Sequence, residues 1–311
     1  MSEQLLSFIA HHRRPLEEAL AAHLPLGPRR GVQRLNEALQ YAVFPGGKRW
    51  RPMLTLLGAT LVGATVEDAM PSACAIEYLH TSSLILDDLP AMDDANLRRG
   101  RAALHLVYGE GVALLAALAL LNKSYELLAL AAERGCAPSA AERLIAEAAR
   151  CIGADGMIGG QAADLEARAA SDHPDLLASR QLKTNGLLRL TMTAGAIAYG
   201  RGEDDLSALA HFGECLGTSY QIIDDLMDEL GESAVTGKPV RQDARHQRPS
   251  YVADMGIADA RRHALSLIDE GRRALMNRFA DRFEAKLLAE AADFIIREAG
   301  RFAATKDVAA K

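Results

Sequence analysis

Two short stretches concentrate carboxylates where helices would end. Leu84-Ile85-Leu86-Asp87-Asp88-Leu89-Pro90-Ala91-Met92-Asp93-Asp94 places four aspartates within eight residues, directly after an apolar run. Gln221-Ile222-Ile223-Asp224-Asp225-Leu226-Met227-Asp228 repeats the theme downstream. Carboxylates this close repel one another, and packing would strip their water, so they call for cations. With no Cys or His interleaved, the donor set suits a hard divalent ion, magnesium above all, which commonly shares its oxygens with a phosphate. The spacing is read as two acidic walls facing each other across a cavity, with magnesium and a diphosphate between them.

Asp224 and Asp228 stand at i and i+4 and project from one helix face, with Asp225 about 100° round. The first cluster is spaced DDxxxxD, with Leu89 to Met92 bulging between Asp88 and Asp93. Capping does not explain it, because acids belong at helix amino termini. Gly46-Gly47-Lys48-Arg49-Trp50-Arg51-Pro52 supplies backbone flexibility, fixed cations and a helix start, which together suit a phosphate. His80 lies two turns before Asp87, within reach of the same anion, although a lone His on an apolar helix is commonly a core residue. Arg98 and Arg99 follow the first cluster directly, and arginine pairs chelate diphosphates.

The elements that position these groups read as helices. Apolar residues at helical spacing (Leu5, Phe8, Ile9, Leu16, Leu20) run through 3–22, interrupted by Pro15, and 24–31 is a connector rich in Gly and Pro. Helices follow at about 32–43, 53–61 (Pro52 in its first turn), 68–88 (ended by Pro90), 110–134, 138–154, 174–199, 204–230, 257–278 and 282–300. The charged segment 89–103 and the segment 231–250 read as loops, and Gly159-Gly160-Gln161 as a glycine-rich break. No stretch alternates convincingly as a strand, so the chain is expected to be all-α. No linker separates domains, which leaves one helical domain over 1–311; the paired acidic clusters hint at a loose twofold plan.

Composition agrees. The chain is 49% hydrophobic and only 5% aromatic, as packed Ala- and Leu-rich helices would be. A net charge of −6 with dispersed basic residues argues against nucleic acid. Cys74, Cys136, Cys151 and Cys215 are widely spaced, as expected of reduced thiols in a cytoplasmic protein. The amino terminus lacks the apolar core of a signal peptide, and the longest apolar run, Val112 to Leu121, is about half a membrane span. A soluble protein with no membrane span is expected.

GGKRWRP, DDLPAMDDANLRRG, GGQAADL, LKTNG and YQIIDDLMD, in that order, resemble the trans-isoprenyl diphosphate synthases, the polyprenyl synthetase family, over about residues 35–300. The SLILDDLPAMDD and HLVYGEGVALLAALALLNKSYEL stretches are most similar to the bacterial geranylgeranyl diphosphate synthases. The resemblance implies the isoprenoid synthase fold, about 10–13 helices around a deep central cavity. It implies condensation of isopentenyl diphosphate with an allylic diphosphate (dimethylallyl, geranyl or farnesyl), and a homodimer. Asp87, Asp88 and Asp93 with Asp224, Asp225 and Asp228 would hold three magnesium ions on the allylic diphosphate. Arg98, Lys183 and Lys238 would contact that diphosphate, with Thr184 and Gln221 nearby and Gln161 and Asp164 lining the reaction centre. Lys48, Arg51, His80 and Arg99 would bind isopentenyl diphosphate without metal.

The sequence departs from the family pattern after the Lys238 loop, where Arg248 stands in place of a lysine and adds bulk and a planar fork at that substrate-binding position. Asn185 stands where a smaller residue is common. The resemblance makes Ser82 and Ser83 the chain-length positions, facing down the cavity below Asp87. An aromatic there would stop the product at fifteen carbons; two serines leave the tunnel open, with its floor deeper, on the 110–134 helix. A twenty-carbon product is the expectation and farnesyl diphosphate the alternative. A class I terpene cyclase would not need the Gly46–Pro52 motif, His80 or Arg99. A non-catalytic subunit of a heteromeric synthase would lose acidic clusters, and a phosphohydrolase would need a water-activating base.

Overall fold

A computed structural model describes residues 1–167, 176–230 and 250–304, with side chains described for all of these except 167, 176–180 and 298–304. The described residues are almost wholly helical. In chain order they form α1 (Glu3–His23), α2 (Gln33–Val43), α3 (Trp50–Leu61), α4 (Val66–Asp87), β1 (Leu97–Arg98), β2 (Arg101–Ala102), α5 (Leu104–Tyr108), α6 (Glu110–Gly135), α7 (Ala140–Ile152), α8 (Met157–Ala167), α9 (Leu176–Ala198), α10 (Glu203–Leu230), α11 (Tyr251–Met255), α12 (Ile257–Phe279) and α13 (Phe283–Ala304). The all-α expectation holds, with one exception: a two-residue antiparallel hairpin inside the segment expected to be a plain loop.

The chain divides into two compact units. One comprises Leu6–Ile145 and Ala194–Arg201, the other Met1–Leu5, Ala146–Thr193 and Gly202–Lys311. Each is built around the helix that carries an acidic cluster.

In the first unit α4 packs along α3 and α6. Thr65 caps α4, its hydroxyl oxygen accepting from the Asp68 backbone N–H at 3.1 Å. Cys74, Ala75, Ile76, Tyr78 and Leu79 are fully buried, and each large apolar side chain of this kind contributes about 1.5–3 kcal/mol. Two hydroxyls stitch α4 to α6: Ser124 donates to the Ala75 carbonyl at 3.1 Å and Ser82 to the Ala117 carbonyl at 2.9 Å. Pro15 does not interrupt α1. Proline removes one helix hydrogen bond, but Leu16 and Leu20 are fully buried and the Tyr78 hydroxyl donates to the Leu20 carbonyl at 2.5 Å, which holds the helix in register. Among the described residues, α6 is the one helix long and apolar enough to cross a membrane, and 39% of its most apolar window is buried.

In the second unit α10 packs against α12, α13 and the short α11. Here the expected glycine-rich break at Gly159-Gly160-Gln161 is helix instead, part of α8. The glycines serve close packing. A Cβ on Gly160 would sit 2.3 Å from the Lys183 backbone nitrogen of α9, so only a bare backbone lets the two helices approach this closely. Gly160→Ala should therefore push α8 off α9 and cost about 1–3 kcal/mol; chemical denaturation should show a lower midpoint and an unchanged slope.

Candidate functional site

In the first unit, α4 ends at Asp87 and the chain folds back over its own carboxyl end. The Asp88 N–H donates to the Leu84 carbonyl at 3.1 Å, the Asp93 N–H to the Asp87 carbonyl at 2.9 Å, and the Ala95 N–H to the Asp88 carbonyl at 3.2 Å. The four-residue bulge thus returns Asp93 to the level of Asp87, which is why DDxxxxD groups three carboxylates that a straight helix could not. Asp87 and Asp88 are buried and Asp93 is exposed. Negative charge here adds to the negative end of the helix dipole, so it demands cations.

Arg98 supplies one of them. Its Nε donates to both Asp88 oxygens, at 3.0 and 3.1 Å, and its Nη2 closes on Oδ1. Burial works against the Arg98 charge, but the hydrogen bonds and charge of Asp88 outweigh it and leave its pKa raised. The hairpin sets this geometry. Leu97 pairs with Ala102 and Arg98 with Arg101, leaving Arg99-Gly100 as the two-residue turn with φ of 54° and 75°. Positive φ at both central residues is the requirement of a type I′ turn. The Tyr41 hydroxyl donates to the Ala102 carbonyl at 2.9 Å, and the Arg101 guanidinium lies 3.7 Å from the Tyr41 ring centroid, which seats the hairpin. Adjacent arginines consequently part. Arg98 turns to the acidic cluster, while Arg99 lies over Gly47, where a Cβ would meet its Nε at 3.1 Å.

Gly47 belongs to the phosphate-type loop, whose order has a cause the sequence did not reveal. Arg49 is buried, with φ of 56°, and bonds Glu77 at 2.5 Å, Glu17 at 3.0 Å and the Val43 carbonyl at 2.8 Å. A Cβ on Gly46 would strike the Arg49 guanidinium at 1.9 Å. Gly46 thus leaves room for the Arg49 guanidinium, and Gly47 for that of Arg99. Arg13 of α1 ties the loop down from outside, donating to the Gly47 and Lys48 carbonyls at 2.9 Å. Lys48 is exposed above this frame, and Arg51 Nη1 stands 3.4 Å from His80 Nε2. Arg51, His80 and Arg99 thus gather beside the Arg49–Glu77 strut, with Lys48 in the adjoining loop. Burial, and then the charges of Arg51, Arg99, Arg98 and Arg49, hold the half-buried His80 imidazole well below the usual histidine value. Burial also lowers Arg99, with Glu77 opposing and the neighbouring guanidiniums reinforcing. A cluster that depresses its own members in this way would be relieved by an anion.

A small cavity of ≈ 50 Å³ opens beside the hairpin, lined by Tyr41, Thr81, Ile85, Asp88, Arg98 and Leu104 among others. The buried Thr81 hydroxyl has no hydrogen-bond partner among the described groups. Ser82, expected to face an open cavity, instead spends its hydroxyl on the α6 backbone and is 3% exposed, because small residues here allow the α4–α6 approach. Ser83 is half-buried and donates to the His80 carbonyl at 2.9 Å.

In the second unit, α10 presents Asp224 exposed and Asp228 half-buried, one turn apart, with Asp225 buried behind them. The Asp225 carboxylate accepts from Gln221 Nε2 at 2.9 Å and from the Tyr251 backbone N–H at 2.9 Å, so its orientation is fixed. The Thr184 hydroxyl donates to Gln221 Oε1 at 3.3 Å, and the Gln181 amide reaches the Tyr251 hydroxyl. This chain joins the LKTNG segment of α9 to the second acidic cluster. Asn185, the larger residue than usual, donates to Thr218 at 2.8 Å. Lys183 lies 4.0 Å from Asp164, with Gln161 half-buried one turn earlier on α8. Lys238 and Arg248 lie outside the described residues.

Sequence reasoning counted Arg49 among the loop's phosphate cations and missed its pairing with Glu77 and Glu17, and it missed Arg13 and Tyr251. Glu77 carried a signal, as the one acid between Asp68 and Asp87 in the 68–88 run. Ser250 carried another: its hydroxyl caps α11 by accepting from the Ala253 N–H at 3.1 Å, an N-cap that could have marked a helix start.

The aspartates fit magnesium by donor chemistry, being oxygen-only, clustered at helix carboxyl ends, and in each set partly open to solvent. Among the described residues, only His211, Cys215 and Glu270 form a His, Cys, Asp or Glu group whose ligand atoms lie within 4.8 Å of one another.

Residues 32–280 match the polyprenyl synthetase family. The chain is 36% identical to a dimethylallyltranstransferase of Fischerella ambigua over 94% of this chain and 83% of that protein. It is 33% identical to a geranylgeranyl diphosphate synthase of Cyanophora paradoxa over 94% and 96%. The crystal structure of an FPP/GFPP synthase from Zymomonas mobilis is similar with a TM-score of 0.82 and 31% identity, covering 95% of this chain and all of that one.

The depressed His80 pKa has a signed consequence. Below about pH 6.5 the unfolded chain protonates this side chain and the folded chain does not, so stability falls as pH drops from there towards the folded value and is fully present above about pH 6.5. An anion bound among Arg51, His80 and Arg99 raises that pKa. Inorganic diphosphate added without magnesium at about pH 6 should take up protons on binding, measured calorimetrically in buffers of different ionisation enthalpy, and His80→Gln should abolish the uptake.

Proposed function

The chain belongs to the polyprenyl synthetase family, and from that premise we propose how its residues divide a head-to-tail prenyl transfer. It is a trans-prenyltransferase, joining isopentenyl diphosphate to an allylic diphosphate. The observation that carries the assignment of groups is the parting of Arg98 and Arg99 at the hairpin turn, one to the metal-type carboxylates and one to the cationic loop. It supports two diphosphate sites of different character.

Asp87, Asp88, Asp93, Asp224, Asp225 and Asp228 hold magnesium, on which the family depends, and we put the number of ions at three. When bound, the magnesium ions neutralise the charge that develops on the leaving diphosphate. Arg98, Lys183 and Lys238 bind the same allylic diphosphate. Gln221 and Tyr251 keep Asp225 oriented, and Thr184 keeps Gln221 in place. Lys48, Arg51, His80 and Arg99 bind the diphosphate of isopentenyl diphosphate, which must stay attached and so takes side-chain cations alone. Loss of the allylic diphosphate leaves an allylic carbocation, the double bond of isopentenyl diphosphate attacks it, and a proton leaves to the departed diphosphate. Apolar surroundings exclude water from that cation. Arg248 in place of the family's lysine retains the charge with a different shape.

We take the product to be geranylgeranyl diphosphate, in line with the Cyanophora paradoxa relative and with the lack of an aromatic at positions 82 and 83. Incubation with magnesium, isopentenyl diphosphate and dimethylallyl, geranyl or farnesyl diphosphate should give a twenty-carbon alcohol after dephosphorylation; a fifteen-carbon stop would assign a farnesyl synthase, and no elongation would remove the enzymatic reading. Asp87→Ala and Asp224→Ala should each lower kcat by about 10²–10³-fold. Arg51→Ala should chiefly raise the KM for isopentenyl diphosphate, by about 10–100-fold.

The exposed leucines Leu114, Leu115 and Leu118 of α6, continued by Leu106 and Val107 of α5, support a homodimer built on this face. Four free cysteines, three of them buried, fit a cytoplasmic location. The paired substitution Leu115→Glu with Leu118→Glu should yield a monomer by light scattering on a sizing column, whereas the parent chain should run as a dimer.

A further inference from the structure

A second kind of ligand chemistry sits on α10, three turns before its acidic cluster. His211 and Cys215, at i and i+4, share one helix face, and Glu270 reaches them from α12. His211 Nε2 stands 2.9 Å from Glu270 Oε1 and 3.7 Å from Cys215 Sγ. Bond lengths of about 2.0 Å to nitrogen or oxygen and 2.3 Å to sulfur place two tetrahedral zinc ligands about 3.3–3.6 Å apart. Both separations lie within about 0.5 Å of that requirement, so small rotations of the half-exposed His211 and Glu270 suffice.

The packing that brings the three together is specific. Gly271 lets α12 close on α10 at this point, since a Cβ there would lie 2.9 Å from the Cys215 Cβ. Its backbone N–H is hydrogen-bonded to the buried thiol. Glu214, the other nearby acid, is engaged by Arg189 at 2.8 Å, which leaves Glu270 as the carboxylate facing the pair. Nothing in the prenyl-transfer site uses these residues, and their nitrogen, sulfur and oxygen atoms suit a borderline ion rather than magnesium.

We propose that His211, Cys215 and Glu270 form a zinc site, with water in the fourth position, that fastens α10 to α12. Binding exchanges the thiol proton for metal: Sγ–H breaks, Sγ–Zn forms and the proton passes to solvent. Without metal, burial and the charges of Glu270 and Glu214 push the thiol up to about 12; a bound dication reverses that preference. The ion would stiffen the helix that presents Asp224, Asp225 and Asp228 and take no part in the chemistry.

The test uses the full chain, freed of metal with a chelator and kept in saturating magnesium. Cobalt(II) should produce the near-ultraviolet absorption of a thiolate-to-metal charge transfer, and zinc should displace it. Zinc at about a hundredfold excess over its Kd should raise the thermal midpoint by about 4 °C. Cys215→Ser should lose the absorption, and His211→Ala and Glu270→Gln should each weaken zinc binding at least tenfold while keeping the parent's helical circular dichroism. Glu270→Gln changes a half-exposed residue, so the test survives even if a change at buried Cys215 disturbs folding. Absence of the cobalt band, or zinc binding unchanged in His211→Ala and Glu270→Gln, would overturn the proposal and place any bound zinc at the acidic clusters or another thiol.

Discussion

Negative charge gathered at the carboxyl ends of two helices is the constraint that the rest of this molecule answers. The helix dipole is already negative there, so every aspartate added makes the position less favourable until a cation or a directed N–H compensates it. In the first unit the compensation comes from Arg98, delivered by a two-residue hairpin that exists only because Arg99 and Gly100 accept positive φ. In the second it comes from the Tyr251 backbone N–H and the Gln221 amide on Asp225. Both devices hold one aspartate of each cluster in a fixed orientation.

The cationic side of the first unit is arranged on the same logic with the sign reversed. Glu77 is an acid buried in an apolar helix, where it is tolerable only because Arg49 lies 2.5 Å away, with Glu17 on the guanidinium's other side. Such a pair adds little net stability relative to apolar residues, but losing either partner would strand a buried charge at a cost of about 3–5 kcal/mol. What the pair provides is position. Arg49 occupies the turn, Gly46 yields it room, and Arg51, His80 and Arg99 gather beside it. That crowding suits an anion brought by substrate.

Much of the plan was legible in the chain itself. Long runs with helical periodicity gave their helices because burial of one apolar face outweighs local detail, and the acidic clusters stood out because such charge density needs compensation. Local rules misled where tertiary contacts overrode them. Pro15 reads as an interruption, yet α1 continues through it because Leu16 and Leu20 are anchored in the core. Gly159 and Gly160 read as a break, yet they lie inside α8, where the bare backbone of Gly160 is what lets Lys183 of α9 come close. Ser82 reads as an opening to a cavity, yet its hydroxyl is bonded to α6.

The sequence by itself determined the helical class, the family and where carboxylates and cations cluster, because composition, periodicity and motif spacing are local properties. Tertiary structure alone decided which charge answers which. No spacing rule pairs Arg49 with Glu77 across 28 residues, joins Asp225 to the backbone of Tyr251, or sets Glu270 beside His211 and Cys215. Those pairings depend on how closely helices approach and where a chain reverses, and they are settled only when the packed backbone fixes both partners at once.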